Sequence, residues 1–251
     1  MSYSLKLKNE VKKIYYNVIN LLEDRGYTSE VLGKYISIDV IDFKIHNFLE
    51  SDDGDSTYID LFIPGVTKTY VKFFKSEAID KSVKYGTKQK FTKSIDFIKH
   101  VVNLNETDNI IFVLIDSMVT KEARKSLNEI ESNHPYLRIF SHRDLLINIA
   151  RHSLVPEHKL YNKNKNLLFK KLMINNNNQL PYILHSDPIS RYYNFRHNDI
   201  VEVLRPTKTD GFHKVYRVCI DLDSKTKDTT IIKKPNHKNT EAKMGDIYST
   251  N

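Results

Sequence analysis

What this chain lacks limits what it can be. It has a single cysteine, Cys219, so an internal disulfide framework is excluded and a reducing compartment fits. Cys219 lies in "KVYRVCI", an alternating strand pattern in which a thiol reads as a small buried hydrophobe and not as a nucleophile. No apolar run approaches the roughly 18 residues of a membrane span, and "MSYSLKLKNEVKK" has no apolar core of a secretory signal. A soluble, intracellular protein with no membrane contact is expected. Catalytic signatures are also missing. There is no Gly-x-Ser-x-Gly elbow, no Walker A loop and no dinucleotide fingerprint. The chain has 10 histidines, but none falls at metal-ligand spacing with cysteines or carboxylates. No metal and no cofactor is expected.

What is present is charge, unevenly placed. The net charge is +8. Residues 1–150 balance, with 21 Lys/Arg against 21 Asp/Glu, whereas residues 151–220 carry 12 against 5. Inside the balanced part, Lys68 to Lys99 holds 9 lysines and 3 acids, and "ESDDGDSTYID" is acidic. Such asymmetry points to polyanionic or acidic partners and says nothing of fold.

The pattern of apolar residues divides the chain at about residue 150. Val11, Ile14, Tyr15, Val18, Leu21 and Leu22 recur at helical spacing and predict a helix over 3–25, stopped by Gly26. "DVIDFKIHNFLE" predicts a second helix. "TYIDLFIP" and "KTYVKFF" predict strands around a Pro64–Gly65 turn. A helix over "KQKFTKSIDFIKHVVN", with Phe91, Ile95, Ile98 and Val102 on one face, leads to "DNIIFVLID", a buried central strand. Thr120 would cap a helix over "KEARKSLNEIES", and "LRIFSHRDLLINIARH" gives a strand running into a further helix. Helices interleaved with strands argue an α/β domain over 1–150. Residues 151–221 read as a small α+β module. It has a helix over 163–172 with Leu167, Leu168 and Leu172 inward, a polar asparagine loop, and a helix capped by Asp187 with Pro188 at its first position. The hairpin strands "IVEVL" and "HKVYRVCI" follow, joined by "RPTKTDG". Residues 222–251 lack a sustained apolar period and are expected to form a flexible tail.

Two stretches invite chemistry. Asp60 and Lys72 lie on neighbouring predicted strands, the placement used by restriction-endonuclease-type nucleases, where two carboxylates hold a metal and a lysine assists water. The second carboxylate is expected at position 70, which is Tyr70. A strand carrying an exposed Asp and Lys is the simpler reading, with a divergent nuclease as the alternative. "KSVKYGTKQKFTK" places lysines around Gly86, a turn able to meet a phosphate backbone without reading sequence. That would also suit a stand-alone DNA-binding regulator.

The second half is more specific. Leu154–Val155–Pro156–Glu157–His158, Gln179–Leu180–Pro181, Asp187–Pro188, Arg191–Tyr192, Val201 to Val203, Arg205–Pro206, Gly211 and Tyr216–Arg217 follow in close order. Together they resemble the fifth subunit of eukaryotic RNA polymerases, a family that also has archaeal members. The first half is similar more weakly, through the early helix ending in "RGY" and through "IIFVLIDSMVTKEARKS".

The resemblance implies a non-catalytic structural subunit of a multisubunit DNA-directed RNA polymerase. Residues 1–150 would be a restriction-endonuclease-like but inactive jaw near downstream duplex DNA, in keeping with Tyr70. The DNA-proximal residues would be Lys84, Gly86, Thr87, Lys88 and Lys90, with Thr120 and Lys121 in a second approach. Residues 151–221 would dock on the largest polymerase subunit, near other small subunits. Pro156, Glu157, His158, Pro181, Asp187, Pro188, Arg191, Tyr192, Arg205, Pro206, Tyr216 and Arg217 would be the contacts. There arginines supply forked donors and tyrosines supply aromatic anchors. The location implied is the nucleus for a cellular protein, and the virion or host cytoplasm for one encoded by a large DNA virus. Two departures stand out. Tyr182 replaces an arginine of the family, and Asn198 replaces a glycine, an exchange a left-handed turn tolerates.

Overall fold

The computed structural model describes residues 5–50, 60–65, 67–75, 96, 99–100, 103–115, 121–209 and 211–221. Helix α1 (Leu5–Asp24) buries Val11, Ile14, Tyr15, Val18, Leu21 and Leu22, the predicted stripe. It ends where Gly26, at φ 99°, donates to Glu23 O and Tyr27 donates to Leu22 O. Those two bonds satisfy carbonyls that the last turn leaves open, and the left-handed residue between them favours glycine. A short helix α2 (Ser29–Gly33) and α3 (Ile38–Glu50) follow, and α3 packs on α1.

Strands β1 (Asp60–Ile63), β2 (Thr69–Lys75), β3 (Asn109–Ile115) and β4 (Leu137–Ser141) form a sheet in that order. β1 is antiparallel to β2, and β2, β3 and β4 run parallel. Every residue of β3 is buried, as a continuous apolar run in the middle of a parallel sheet requires. Alternate residues feed two cores. Val71, Phe73, Ile111, Val113 and Ile115 join α1 and α3, while Phe74, Ile110, Phe112 and Leu114 pack on the other face with Leu127 and Ile130 of α4 (Lys121–Asn133).

The helix expected after β4 is cut short. α5 (His142–Leu145) makes one turn, begun by a reciprocal Ser141–Asp144 cap. Past it, the Asn148 side chain accepts from Ala150 N and Arg151 N at 3.1 and 3.2 Å, a local turn that competes with helix propagation. Strand β5 (Glu157–Leu160) then appears, a strand the apolar pattern did not predict. Helix α6 (Lys165–Leu172) buries Leu168 and half-buries Leu172, but Leu167 is 63% exposed, which corrects its predicted inward position. Eight residues span barely two turns, and their apolar stripe is too narrow for two adjacent leucines.

Strand β6 (Tyr182–Leu184), helix α7 (Pro188–Tyr193), β7 (Ile200–Thr207) and β8 (Gly211–Ile220) complete a second sheet in the order β5-β7-β8-β6. The β7–β8 hairpin is antiparallel, β5 pairs antiparallel with β7, and β6 lies parallel to β8. β7 extends through Arg205 and Pro206, residues expected in the turn. Pro206 is tolerated there because β5 stops opposite Leu204. Asn198 sits at φ 67°, so the asparagine adopts the left-handed geometry expected of it. Among the described residues the architecture is mixed α/β with two four-stranded sheets.

At α7 the predicted cap is present. Asp187 Oδ1 accepts from Ile189 N at 2.8 Å, with Pro188 as the first helical residue. Asp187→Ala is expected to lower stability by about 1 kcal/mol. Chemical denaturation of the purified chain measures this, and a loss confined to a few tenths would mean that Pro188 alone sets the helix start.

Candidate functional site

The predicted partner-binding residues separate into three environments. Strand alternation sends Val201, Val203, Arg205, Arg217 and Cys219 to one face of the second sheet, the face covered by Ile189 and Phe195. His158 pairs with Val203 and lies on that face too. Its Nδ1–H donates to Pro156 O at 2.7 Å, and the charges of Asp187, Arg217 and Arg205 all act on it. Pro156 and Asp187 are half-buried, Arg217 is half-buried and Arg205 is exposed, so this cluster is basic and partly open. Cys219 beneath it is buried, which pushes its thiol up to about 12 and keeps it protonated.

Tyr216 and Glu157 face the other way. Tyr216 packs edge-on against Tyr161 with ring centroids 5.6 Å apart, beside the Lys214–Glu202 pair at 2.8 Å. The adjacent residues Tyr216 and Arg217 therefore cannot serve one flat contact. Pro181, Pro188 and Pro206 are exposed, and Tyr182 is 36% exposed with its hydroxyl donating to Asn178 O.

Arg191 and Tyr192, expected as partner contacts, form the third environment and face the first half of the chain. Tyr192 is 3% exposed within the core cluster of α1, and its hydroxyl donates to Asp24 at 2.6 Å. Arg191 pairs with Glu131 at 3.0 Å and also donates to Ile139 O. Both join the second half to the first. Arg25 completes the junction, its Nε donating to Tyr192 O at 2.7 Å and its Nη2 to Arg191 O at 2.9 Å, carbonyls of the last turn of α7. Arg151 reaches Glu23 and Asp24 at 3.1 and 3.0 Å. Glu131, Arg25 and Arg151 went unread in the sequence because their partners lie more than 50 residues away.

A second polar relay runs alongside. Arg138, 1% exposed, donates to Leu137 O and to His185 Nε2, and His185 Nδ1 faces Asp221 at 3.2 Å. His185 therefore accepts through one nitrogen and donates through the other, a role only the neutral ring fills.

The expected DNA-proximal residues Lys84, Gly86, Thr87, Lys88, Lys90 and Thr120 lie outside the described residues. So does the predicted helix over 88–103, except Asp96, Lys99, His100 and Asn103. Lys121 begins α4, and its side chain is not described. Asp60 and Lys72 are cross-strand partners, and Tyr70, at the position of the expected second carboxylate, hydrogen-bonds Asp60. Among the described residues, no three His, Cys, Asp or Glu side chains gather to hold a metal.

The family model "RNA polymerase Rpb5, C-terminal domain" matches residues 147–219, the second sheet with its helices. A Dictyostelium discoideum relative, DNA-directed RNA polymerases I, II, and III subunit rpabc1, is 25% identical over 84% of this chain and 98% of its own length. DNA-directed RNA polymerase V subunit 5A of Arabidopsis thaliana is 29% identical over 86% of this chain and 93% of its own. A Caenorhabditis elegans subunit RPABC1 is 27% identical over 50% of this chain and 60% of its own. Residues 147–219 are thus similar to the C-terminal domain of the fifth RNA polymerase subunit, and most of the chain is similar to whole subunits of that kind. The internal tie at Arg191–Tyr192 lies inside the segment that the Rpb5 C-terminal model matches.

Burial lowers the pKa of His185, helped by the Arg138 charge, and burial likewise lowers that of His158 against the opposing pull of Pro156 O. Below about pH 6.5 the unfolded chain protonates both rings while the folded chain still resists. Their stabilising contribution is thus full above that pH and is lost as pH falls through the folded-state values. The melting temperature is expected to fall between about pH 7 and pH 5, and His185→Gln should flatten part of that fall. An unchanged slope in the variant would mean that His185 does not drive it.

Proposed function

We propose that this chain is a non-catalytic structural subunit of a multisubunit DNA-directed RNA polymerase. The observation that carries the reading is the match to a polymerase subunit over 98% of that subunit's own length, which takes in both sheets. Residues 151–221 dock on the largest subunit, near other small subunits, through the basic cluster of His158, Arg205 and Arg217 with Pro156, Pro181 and Pro206 around it. Its charge supports this, since residues 151–220 carry 12 basic against 5 acidic residues, and Arg205 is exposed. A partner offering carboxylates or carbonyls suits arginine forks. The first half acts as a jaw passing close to downstream DNA. The lysines between Lys68 and Lys99, on an otherwise neutral half, support a light, non-specific phosphate contact. In a cell such a subunit works in the nucleus, and as a viral product it would serve in the virion or host cytoplasm.

The docking reading separates the two arginine classes. Arg205→Glu is expected to reduce recovery of the largest subunit with the tagged chain by about tenfold while leaving the melting temperature unchanged. Arg191→Glu is expected to lower the melting temperature itself, because it breaks the internal pair with Glu131. If Arg205→Glu recovers the largest subunit at the wild-type level, the basic cluster is not the docking face.

A further inference from the structure

Between the two halves lies an open cleft of about 430 Å³, bordered by core residues and separate from the basic cluster. Its walls are apolar, with Phe140 at the end of β4, Ile147 and Ile149 in the turn that replaces the expected helix, and Val155 before β5. Ile147 is 59% exposed, and Leu154, next to the lining residue Val155, is 86% exposed. The apolar surface thus continues out of the cleft, an arrangement associated with macromolecular contacts.

The polar groups of the cleft are unbalanced. Arg143 is exposed and makes no ion pair among the described residues. Arg191 Nε is buried and finds no hydrogen-bond partner among them. His152 accepts from Leu154 N through Nδ1 at 3.3 Å, which leaves its Nε2–H as a donor. The one acidic group in the lining, Asp144, already accepts from Ser141 N at 2.9 Å. A cleft with donors on its rim and hydrocarbon on its floor complements an apolar group that carries an acceptor or a negative charge. A buried donor left unpaired is costly, and an incoming carboxylate or carbonyl relieves that cost.

We infer that this cleft receives a segment of another polymerase subunit in which a large apolar side chain lies within two residues of an Asp or Glu. The inference rests on the subunit reading and adds a second contact to it, distinct from the Arg205 face. The apolar residue fills the space beside Phe140 and Val155, and the carboxylate meets Arg143 and Arg191. Charge complementarity favours an acidic segment, and the exposed run through Ile147 and Leu154 favours a polypeptide over a small amphipathic acid.

The test places the photoreactive residue p-benzoylphenylalanine at position 147 of the full-length tagged chain, irradiates the assembled polymerase and maps the adduct by mass spectrometry. The expected adduct joins position 147 to another subunit at an apolar residue near an Asp or Glu. Arg143→Glu should cut its yield by about tenfold, the scale of a reversed interfacial charge. Both positions are exposed, so the melting temperature should hold in each variant. An adduct to residues 222–251 of the same chain, to DNA or to a lipid overturns the inference, as does no adduct in a polymerase that contains the chain. If the wild-type chain enters no polymerase, the subunit reading falls, and this inference falls with it.

Discussion

The ion pair between Glu131 and Arg191 holds the molecule together as one piece. β4 is an edge strand, and the outward N–H and C=O of an edge strand need partners or protection. Glu131 accepts from Ile139 N and Arg191 donates to Ile139 O, so the pair completes the edge of the first sheet with side chains. The Arg191 guanidinium also lies 5.2 Å from the centre of the Phe140 ring. Since Arg191 sits on α7, the bond that seals one sheet also fixes the helix that covers the other. Arg25 on the end carbonyls of α7, and Tyr192 in the α1 core, depend on that placement. Removing one member would leave a partly buried charge unpaired, a far larger loss than for an exposed pair.

This dependence changes how the Arg191–Tyr192 motif is understood. A conspicuous Arg–Tyr pair in a basic module reads naturally as a surface for partners. The fold uses both residues to orient the two halves, while Arg205 stays exposed on the basic face. The motif holds the basic cluster of the second half against the first half.

Local signals were legible in the sequence. The helical stripe of α1, the apolar run of β3, the Asp187–Pro188 start of α7 and the left-handed Asn198 each follow from chemistry within a few residues. β5 was not legible, because its residues are exposed or half-exposed on both faces and show no alternation. The helix after β4 was overextended because apolar spacing continues through Ile147 and Ile149, while the Asn148 side chain turns the backbone aside. The second half of the site was legible as a family pattern. Which of its residues face outward was not, since that depends on Glu131, Asp24 and Arg25, contacts that no local pattern encodes.

The most direct test of a subunit role is affinity purification of the tagged chain from its native source at moderate salt, with quantification of the recovered proteins. Two very large polymerase chains are expected in equal amount with the tagged one. Recovery of the chain alone would contradict that role, and the similarity to polymerase subunits would then describe ancestry without the shared function.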